Sequence, residues 1–346
     1  MDLVQLETRE QARAVAALAR ATGGAPALED PDALWALNQG GRLRSLVALD
    51  GRDALAHIGL ASPFADLEDD GEPVFSGEVL ELVHGLRRIG AGPAGARALD
   101  AARVLAAREG AAGLLVRRSA ESPGDRARAL GMRPLGLLLG ARAGDGARRS
   151  SWLDWMDLQP EGPRAARALH RPAGLGWTDV CAAGIDRLRL DGAPGPADGP
   201  TVLRARWTAE TGAARVAVLQ LGGDLIPRLE QALAWLLGAG AAHVTVLLPG
   251  DAPALGALGP ALAGLGLFGA GWVPGLLAGG RDAVLMQALA RGAVADPRAE
   301  DPVEQHILDG VRAGQAATQG ASALGRGRRG GVRARVLSVS AIDRAP

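Results

Sequence analysis

The stretch "HGLRRIGAGPAGARALDAARVLA" (84–106) decides how this chain is read. It is a glycine-rich turn that follows the alternating run "GEVLELV" (77–83) and leads into an alanine-rich helix expected over 95–109. A strand, a glycine-rich turn and a helix N-terminus together cradle phosphate groups, because unpaired backbone N–H groups and the helix dipole converge on one anion. Glycines at 90, 92 and 95 let the backbone approach phosphate oxygens closely, and Arg87 and Arg88 add positive charge. Pro93 removes one donor and fits the first helical turn.

Working outward, "LVQLE" (3–7) alternates as a strand, and Thr8 to Gln11 has capping-box spacing at the start of a helix running to about Ala21. A short helix is expected near Asp32–Leu37, and residues 41–63 form a hairpin joined at Asp50-Gly51. After the glycine-rich turn come a strand (112–119), a short helix (123–131) and strands at 133–143 and 150–160. Trp152 and Trp155 on the last of these read as core or interface residues. Beyond the linker-like "LDGAPGPADGP" (190–200), a hairpin (201–223), a helix (225–238) and a strand (243–249) follow. A helix (252–265) and strands at 267–274 and 282–289 complete the series, so the second half repeats the later elements of the first. A final helix is expected over 302–314.

The chain of 346 residues is long enough for two packed domains with a core each. Its 38 basic and 38 acidic residues cancel, which argues against binding nucleic acid or membrane through overall charge. Lys and Tyr are absent, the usage of a GC-rich genome. The single Cys181 excludes an intrachain disulfide and suits packing. No apolar run is free of Gly, Pro and charge for the length of a membrane span, so a soluble, cytoplasmic protein is expected.

The element order, together with Arg87-Arg88-Ile89-Gly90-Ala91-Gly92, resembles the GNAT superfamily of N-acyltransferases and its Q/R-x-x-G-x-G/A pattern. Runs such as "RRSSWLDWMDLQP", "VAVLQLGGDL" and "LGLFGAGWVPGL" are similar to bacterial tandem-GNAT proteins. The resemblance implies an α/β (α+β) fold of two GNAT-like domains, each a mixed, mainly antiparallel sheet flanked by helices. Residues 1–148 would form the acyl-CoA-binding domain, 149–295 a degenerate GNAT-like domain, and 296–346 a C-terminal helix with a mobile Gly/Arg tail. It also implies acetyl-CoA or another acyl-CoA as co-substrate, held by Arg87, Arg88, Gly90, Ala91, Gly92 and Gly95. Backbone N–H groups at Leu82 and Val83 would polarise the thioester carbonyl. The acceptor would be a small-molecule or peptide amine, and a homodimer is compatible.

Acyl transfer to an amine needs a base, since an ammonium must lose a proton before its nitrogen attacks. Glu78 and Glu81 stand on the strand before the turn, on opposite faces unless a bulge intervenes, with Glu81 nearer the turn. His84 and His57 are further candidates that also read as structural imidazoles. The family's Tyr acid is missing, which leaves Ser122, or Ser119, to position a water or donate to the thiolate. In the second half "LQLGGDLIPRLEQ" (219–231) puts Asp224 where a pyrophosphate would sit. Pro93-Ala94-Gly95 lengthens the first loop relative to the family. That, with the missing Tyr, keeps a second expectation open: a non-catalytic pseudo-acyltransferase serving as a ligand-binding or scaffold protein. The acidic loop 66–72 reads either as a solvated hairpin loop or as a greeting for a cationic amine. The Gly/Arg tail (320–336) reads as solvated rather than RNA-binding.

Overall fold

The computed structural model describes residues 2–23, 26–64, 67, 74–87, 93–121, 125–144, 146–158, 167–169, 172, 177, 187–189, 199–290, 292 and 294–324. Among them the first half holds β1 (Asp2–Gln5), α1 (Arg9–Thr22), α2 (Pro26–Glu29), α3 (Pro31–Gln39), β2 (Arg44–Asp50), β3 (Asp53–Ala61), β4 (Val79–Arg87) and α4 (Ala94–Arg108). It continues with β5 (Gly113–Ser119), α5 (Asp125–Ala129), β6 (Arg133–Arg142) and β7 (Arg149–Asp157). Thr8 accepts from the Gln11 N–H and the Gln11 side chain accepts from the Thr8 N–H, completing the capping box. Gly51, at a φ of 60°, turns the β2–β3 hairpin.

The short pair β8 (Arg167–Leu169) and β9 (Arg187–Arg189) stands apart. The second half then holds β10 (Val202–Thr208), β11 (Ala213–Gln220), α6 (Leu225–Gly238), β12 (His243–Pro249), α7 (Gly259–Gly264), β13 (Phe268–Leu277), β14 (Arg281–Leu289) and α8 (Pro302–Leu324). The expected helix at 252–265 is instead a 3-10 turn over Pro253–Leu258 followed by α7. Cys181, the 190–198 linker, the acidic loop apart from Leu67, and the Gly/Arg tail beyond residue 324 lie outside the described residues.

Twelve strands form one mixed, mostly antiparallel sheet in the order β1-β2-β3-β4-β5-β7-β6-β13-β14-β12-β11-β10. The pairing senses repeat on either side of the β6–β13 seam. β4 runs parallel to β5 as β11 does to β12, and β7 lies between β5 and β6 as β14 lies between β12 and β13. Even the irregularities correspond, with a register shift between Pro134 and Gly136 in β6 and another between Gly269 and Gly271 in β13. The two corresponding glycines pair with each other, Gly136 with Gly271, so a local two-fold passes between them.

That pairing demands glycine. A Cβ on Gly136 would stand 2.2 Å from the Ala270 carbonyl oxygen, and one on Gly271 2.9 Å from the Leu135 carbonyl oxygen. α4 buries Ala94, Ala98, Ala102 and Ala106 against one face of the first half, while α1 and α3 cover the other. α8 lies across β6 and β13. Arg118 of β5 ties it down, reaching Asp154 of β7 at 2.7 Å and Glu304 of α8 at 2.6 Å.

The expectation of one core per half is corrected: the largest buried cluster is continuous across the seam, joining Leu137, Leu153 and Trp155 to Val246, Trp272 and Leu285. The physical reason is the β3–β4 connection, which crosses to the second half. The Ser76 N–H donates to the Leu276 carbonyl at 3.1 Å, the Ala278 N–H donates to Val74 at 2.9 Å, and Phe64, Val74 and Phe75 enter the shared core. No helix among the described residues is long and apolar enough to cross a membrane.

Two consequences are measurable. Gly136→Ala is expected to cost about 1–3 kcal/mol in urea unfolding through overpacking at the seam, whereas Gly264→Ala, with open space around it, should cost nothing. Burial also lowers the pKa of His57 and of His243 from 6.5 to about 3, aided by His84 for the first and by Arg148, Arg215 and Arg117 for the second, where Gln287 opposes. The unfolded chain therefore takes up protons below pH 6.5 that the native protein refuses until about 3, and stability falls with pH in that window. For each of these histidines the slope rises from about 0.7 kcal/mol per pH unit at pH 6.5 toward about 1.4 below pH 5.5, so each contributes a loss of about 1 kcal/mol between those values. His243→Gln should remove the share of His243 and leave the shares of His57 and of His84, whose pKa burial also lowers.

Candidate active site

β4 is built to divide the sheet. Its first residues are held on both sides: Val79 to Leu82 pair with Gly113 to Val116 of β5, while Glu81 and Leu82 pair with Ala61 and Leu60 of β3. After Leu82 the β5 ladder ends, although β4 runs on to Arg87 along β3 and β5 runs on to Ser119 along β7. A wedge opens between residues 83–87 and 117–119. At the same point the β3–β4 register slips, because His84 opposes Gly59 while Leu82 opposes Leu60, which leaves Val83 as an extra, bulged residue.

The bulge re-phases the strand. Ala61 and Gly59 share one face of β3, so their partners Glu81 and His84 share it too, although three residues apart. Burial lowers the His84 pKa, and the imidazole is neutral at neutral pH. On the same face His57 stands diagonally from His84, with its Nε2 2.9 Å from Ser45 Oγ and its Nδ1 buried without a partner among the described residues. Asn38 completes this chain, donating to Ser45 Oγ and accepting from the Ser45 N–H.

Glu81 is 4% exposed, and Arg117 of β5 engages both its oxygens, Nη2 to Oε2 at 2.6 Å and Nε to Oε1 at 2.6 Å. Glu78 is not in β4; it precedes the strand, four residues short of the parting, and its carbonyl accepts from Ala112 and Gly113. Leu82 is the last residue paired with β5 and Val83 is the bulge, so the structure brings both to the apex of the wedge. Arg87 ends β4, opposite Ala56. Arg88, Gly90, Ala91, Gly92 and Ser122 lie outside the described residues. Gly95 sits half-buried in the first turn of α4, which has no side-chain cap and no acidic residue.

The corresponding loop of the second half is closed by its own chain. Asp224, before α6, accepts from Arg228 Nε at 2.7 Å and from the Thr201 N–H at 2.7 Å, and these bonds, Arg228's first, hold its carboxyl well below the usual range. Gly222 is pressed against the 199–201 backbone, with a Cβ there standing 2.4 Å from the Gly199 carbonyl oxygen.

Three residues escaped the sequence reading. Phe64, before the crossing connection, has a φ of 55°, a region bulky side chains rarely enter. The Arg117 guanidinium lies 4.5 Å from its ring centre and that of Arg215, from β11, 5.3 Å. β5 and β11 are six strand steps apart, roughly 29 Å in a flat sheet at ~4.8 Å per step. Two arginines cannot span that distance, so the sheet curves and Phe64 lies in its concavity. The only signal in the sequence is "VRRS" (116–119), two charges on adjacent positions of a strand, one for each face.

No protein-family model matches this chain, and no curated protein does. Among solved structures it is similar to an N-acetyltransferase from Staphylococcus aureus Mu50, with 13% identity over 46% of this chain and 99% of that one and a TM-score of 0.36. The aminoglycoside 6'-N-acetyltransferase from Enterococcus faecium gives 14% identity over 48% and 99% of the two chains, with a TM-score of 0.36. The ribosomal-protein-alanine N-acetyltransferase from Brucella melitensis gives 17%, 45% and 99%, with a TM-score of 0.37. At these scores the site is read from its own strands.

Proposed function

We propose that the chain is an acyl-CoA-dependent N-acyltransferase of tandem GNAT type that moves an acetyl or longer acyl group to an amine. The observation that carries this reading is the parting of β4 from β5 at Leu82, directly before the Arg/Gly loop and the uncapped N-terminus of α4. In that arrangement the acyl-CoA pyrophosphate lies over Arg87–Gly95 and its thioester reaches the wedge, where N–H groups of Leu82 and Val83 face the carbonyl oxygen. The amine nitrogen bonds to the acyl carbon, the C–S bond breaks, and its electron pair leaves on the thiolate. Ser119, which ends β5 beside the wedge, or Ser122 would return a proton to the sulfur.

For the amine's proton, both candidate groups share a face. Glu81 has both oxygens engaged by Arg117, whereas His84 is held neutral by burial and is free to accept. The half from β10 to β14 serves as the degenerate domain, with β7, expected at its start, pairing inside the first half instead. Asp224 and residues 199–201, which fill the loop where a second cofactor would sit, support this reading. The Glu81–Arg117 pair favours a second reading, a non-catalytic pseudo-acyltransferase that binds its ligand or acts as a scaffold.

Calorimetric titration with acetyl-CoA and a long-chain acyl-CoA is expected to show binding that Arg88→Glu abolishes; silence from the folded protein overturns the proposal. With binding established, His84→Gln should lower kcat by roughly 10²–10⁴. Full acyl-CoA binding without turnover of any amine would establish the second reading instead.

A further inference from the structure

On the face that carries Glu81, three residues fall in one row: Ser45 of β2 and His84 of β4 both oppose Gly59 of β3. Gly59 has no side chain, and the space over it is taken by Leu43 and the His84 ring. A Cβ there would stand 3.0 Å from Leu43 Cδ1 and 3.4 Å from His84 Cδ2. His57, two residues earlier on β3, is therefore diagonal to both Ser45 and His84. It is fully buried, and its bonds fix where its hydrogen sits. The Asn38 side chain accepts from the Ser45 N–H at 2.9 Å and donates to the Leu34 carbonyl at 2.9 Å, which assigns its oxygen and its nitrogen. That nitrogen also donates to Ser45 Oγ at 3.2 Å. The partner left for the Ser45 hydroxyl hydrogen is His57 Nε2, at 2.9 Å. A neutral imidazole that accepts at Nε2 carries its hydrogen on Nδ1. The opposite tautomer would leave both the Ser45 hydrogen and Nδ1 without a partner, whereas this one leaves the Nδ1–H alone.

The two nitrogens of an imidazole point in divergent directions. With Nε2 committed on the β2 side, the Nδ1–H is turned away from β2, toward the strand that carries His84. The two rings feel each other: after burial, His84 is what lowers the proton affinity of His57. The other charged groups on this face are Glu81 and the Arg117 that pairs with it, and among the described residues α1 and α3 bring Val15, Leu18 and Leu34, with Asn38 as the polar contribution. We infer that His57 is a positioning residue for His84: locked as the Nδ1–H tautomer by Asn38 and Ser45, it aims the positive end of an N–H at the His84 side, opposes a proton there, and keeps His84 in the form that takes one from the acceptor amine. This rests on the acyltransfer reading for what His84 does, but not for the tautomer or for its effect on His84.

The test reads the histidines directly. The chain has five, so long-range proton–nitrogen NMR correlations of the full chain, without acyl-CoA, are assigned by single substitutions and report the tautomer and titration midpoint of each ring. At neutral pH His57 should carry its hydrogen on Nδ1. Ser45→Ala removes the lock, so the hydrogen should move to Nε2 and the His84 midpoint should rise by about 0.5 unit or more. His57→Phe, which keeps a ring but has no N–H, should raise the His84 midpoint in the same direction; both variants are checked for folding by circular dichroism. Where turnover is measurable, the acidic limb of kcat/KM should move to higher pH by the same amount in both. A native His57 protonated on Nε2, a His84 midpoint that neither folded variant moves, or an acidic limb that ignores both variants overturns the inference. The stated tautomer and midpoint shifts in a protein that neither binds acyl-CoA nor acylates any amine sink the acyltransferase and leave the hold of His57 on His84 standing.

Discussion

Where β6 meets β13, two backbones approach so closely that neither Gly136 nor Gly271 has room for a side chain. Much of the architecture depends on this contact. Among the described residues a single pair joins β6 to β13, flanked in each strand by the same register slip, and so narrow a junction lets the sheet curve instead of continuing flat. Curvature brings β5 and β11 near one another over Phe64, and it makes the core common to both halves. A flat twelve-stranded sheet would keep Arg117 and Arg215 too far apart to share a ring.

The two halves use one connectivity with opposite electrostatics at the helix that follows the fourth and eleventh strands. Among the described residues α4 begins without an acid or a side-chain cap, so the positive end of its dipole is not offset by a carboxylate in its first turn. α6 begins with Asp224, whose carboxylate is bound to Thr201 and Arg228, and residues 199–201 occupy the space beside Gly222. A carboxylate at a helix N-terminus is favourable in itself. The second half thus gains local stability from the same feature that repels a phosphate, whereas the first turn of α4 has no such carboxylate.

Local signals were legible where one physical rule governed. Thr8 and Gln11 announced the start of α1, Asp50-Gly51 the first hairpin, and "HVTVLLP" the limits of β12. Rules that act across the chain were not. "HGLRR" lost its alternation because Val83 is bulged, which hid the extension of β4 to Arg87. Gly314 read as the end of the last helix, yet α8 continues to Leu324. The glycines at 310 and 314 are a packing notch, where Cβ atoms would stand 2.4 Å from Trp177 and 3.2 Å from Phe268. Nothing in sequence spacing pairs Glu81 with Arg117, since the partner lies on a neighbouring strand and is fixed only by register.

The bulge at Val83 also decides what the wedge can do. In a regular strand residues 81 and 84 face opposite sides, so His84 would turn toward α4, away from Glu81. One extra residue rotates it onto the Glu81 face, where it stands beside the buried His57 and two residues beyond the last β5 pair. The same face then holds a carboxylate committed to Arg117 and an imidazole kept neutral by burial. These groups stand in different surroundings: the ion pair fixes the position of Arg117 against Phe64, and burial lowers the pKa of the imidazole. Which of the two faces the strand presents at residue 84 is therefore set by one bulged residue in the ladder rather than by the spacing of the side chains in the sequence.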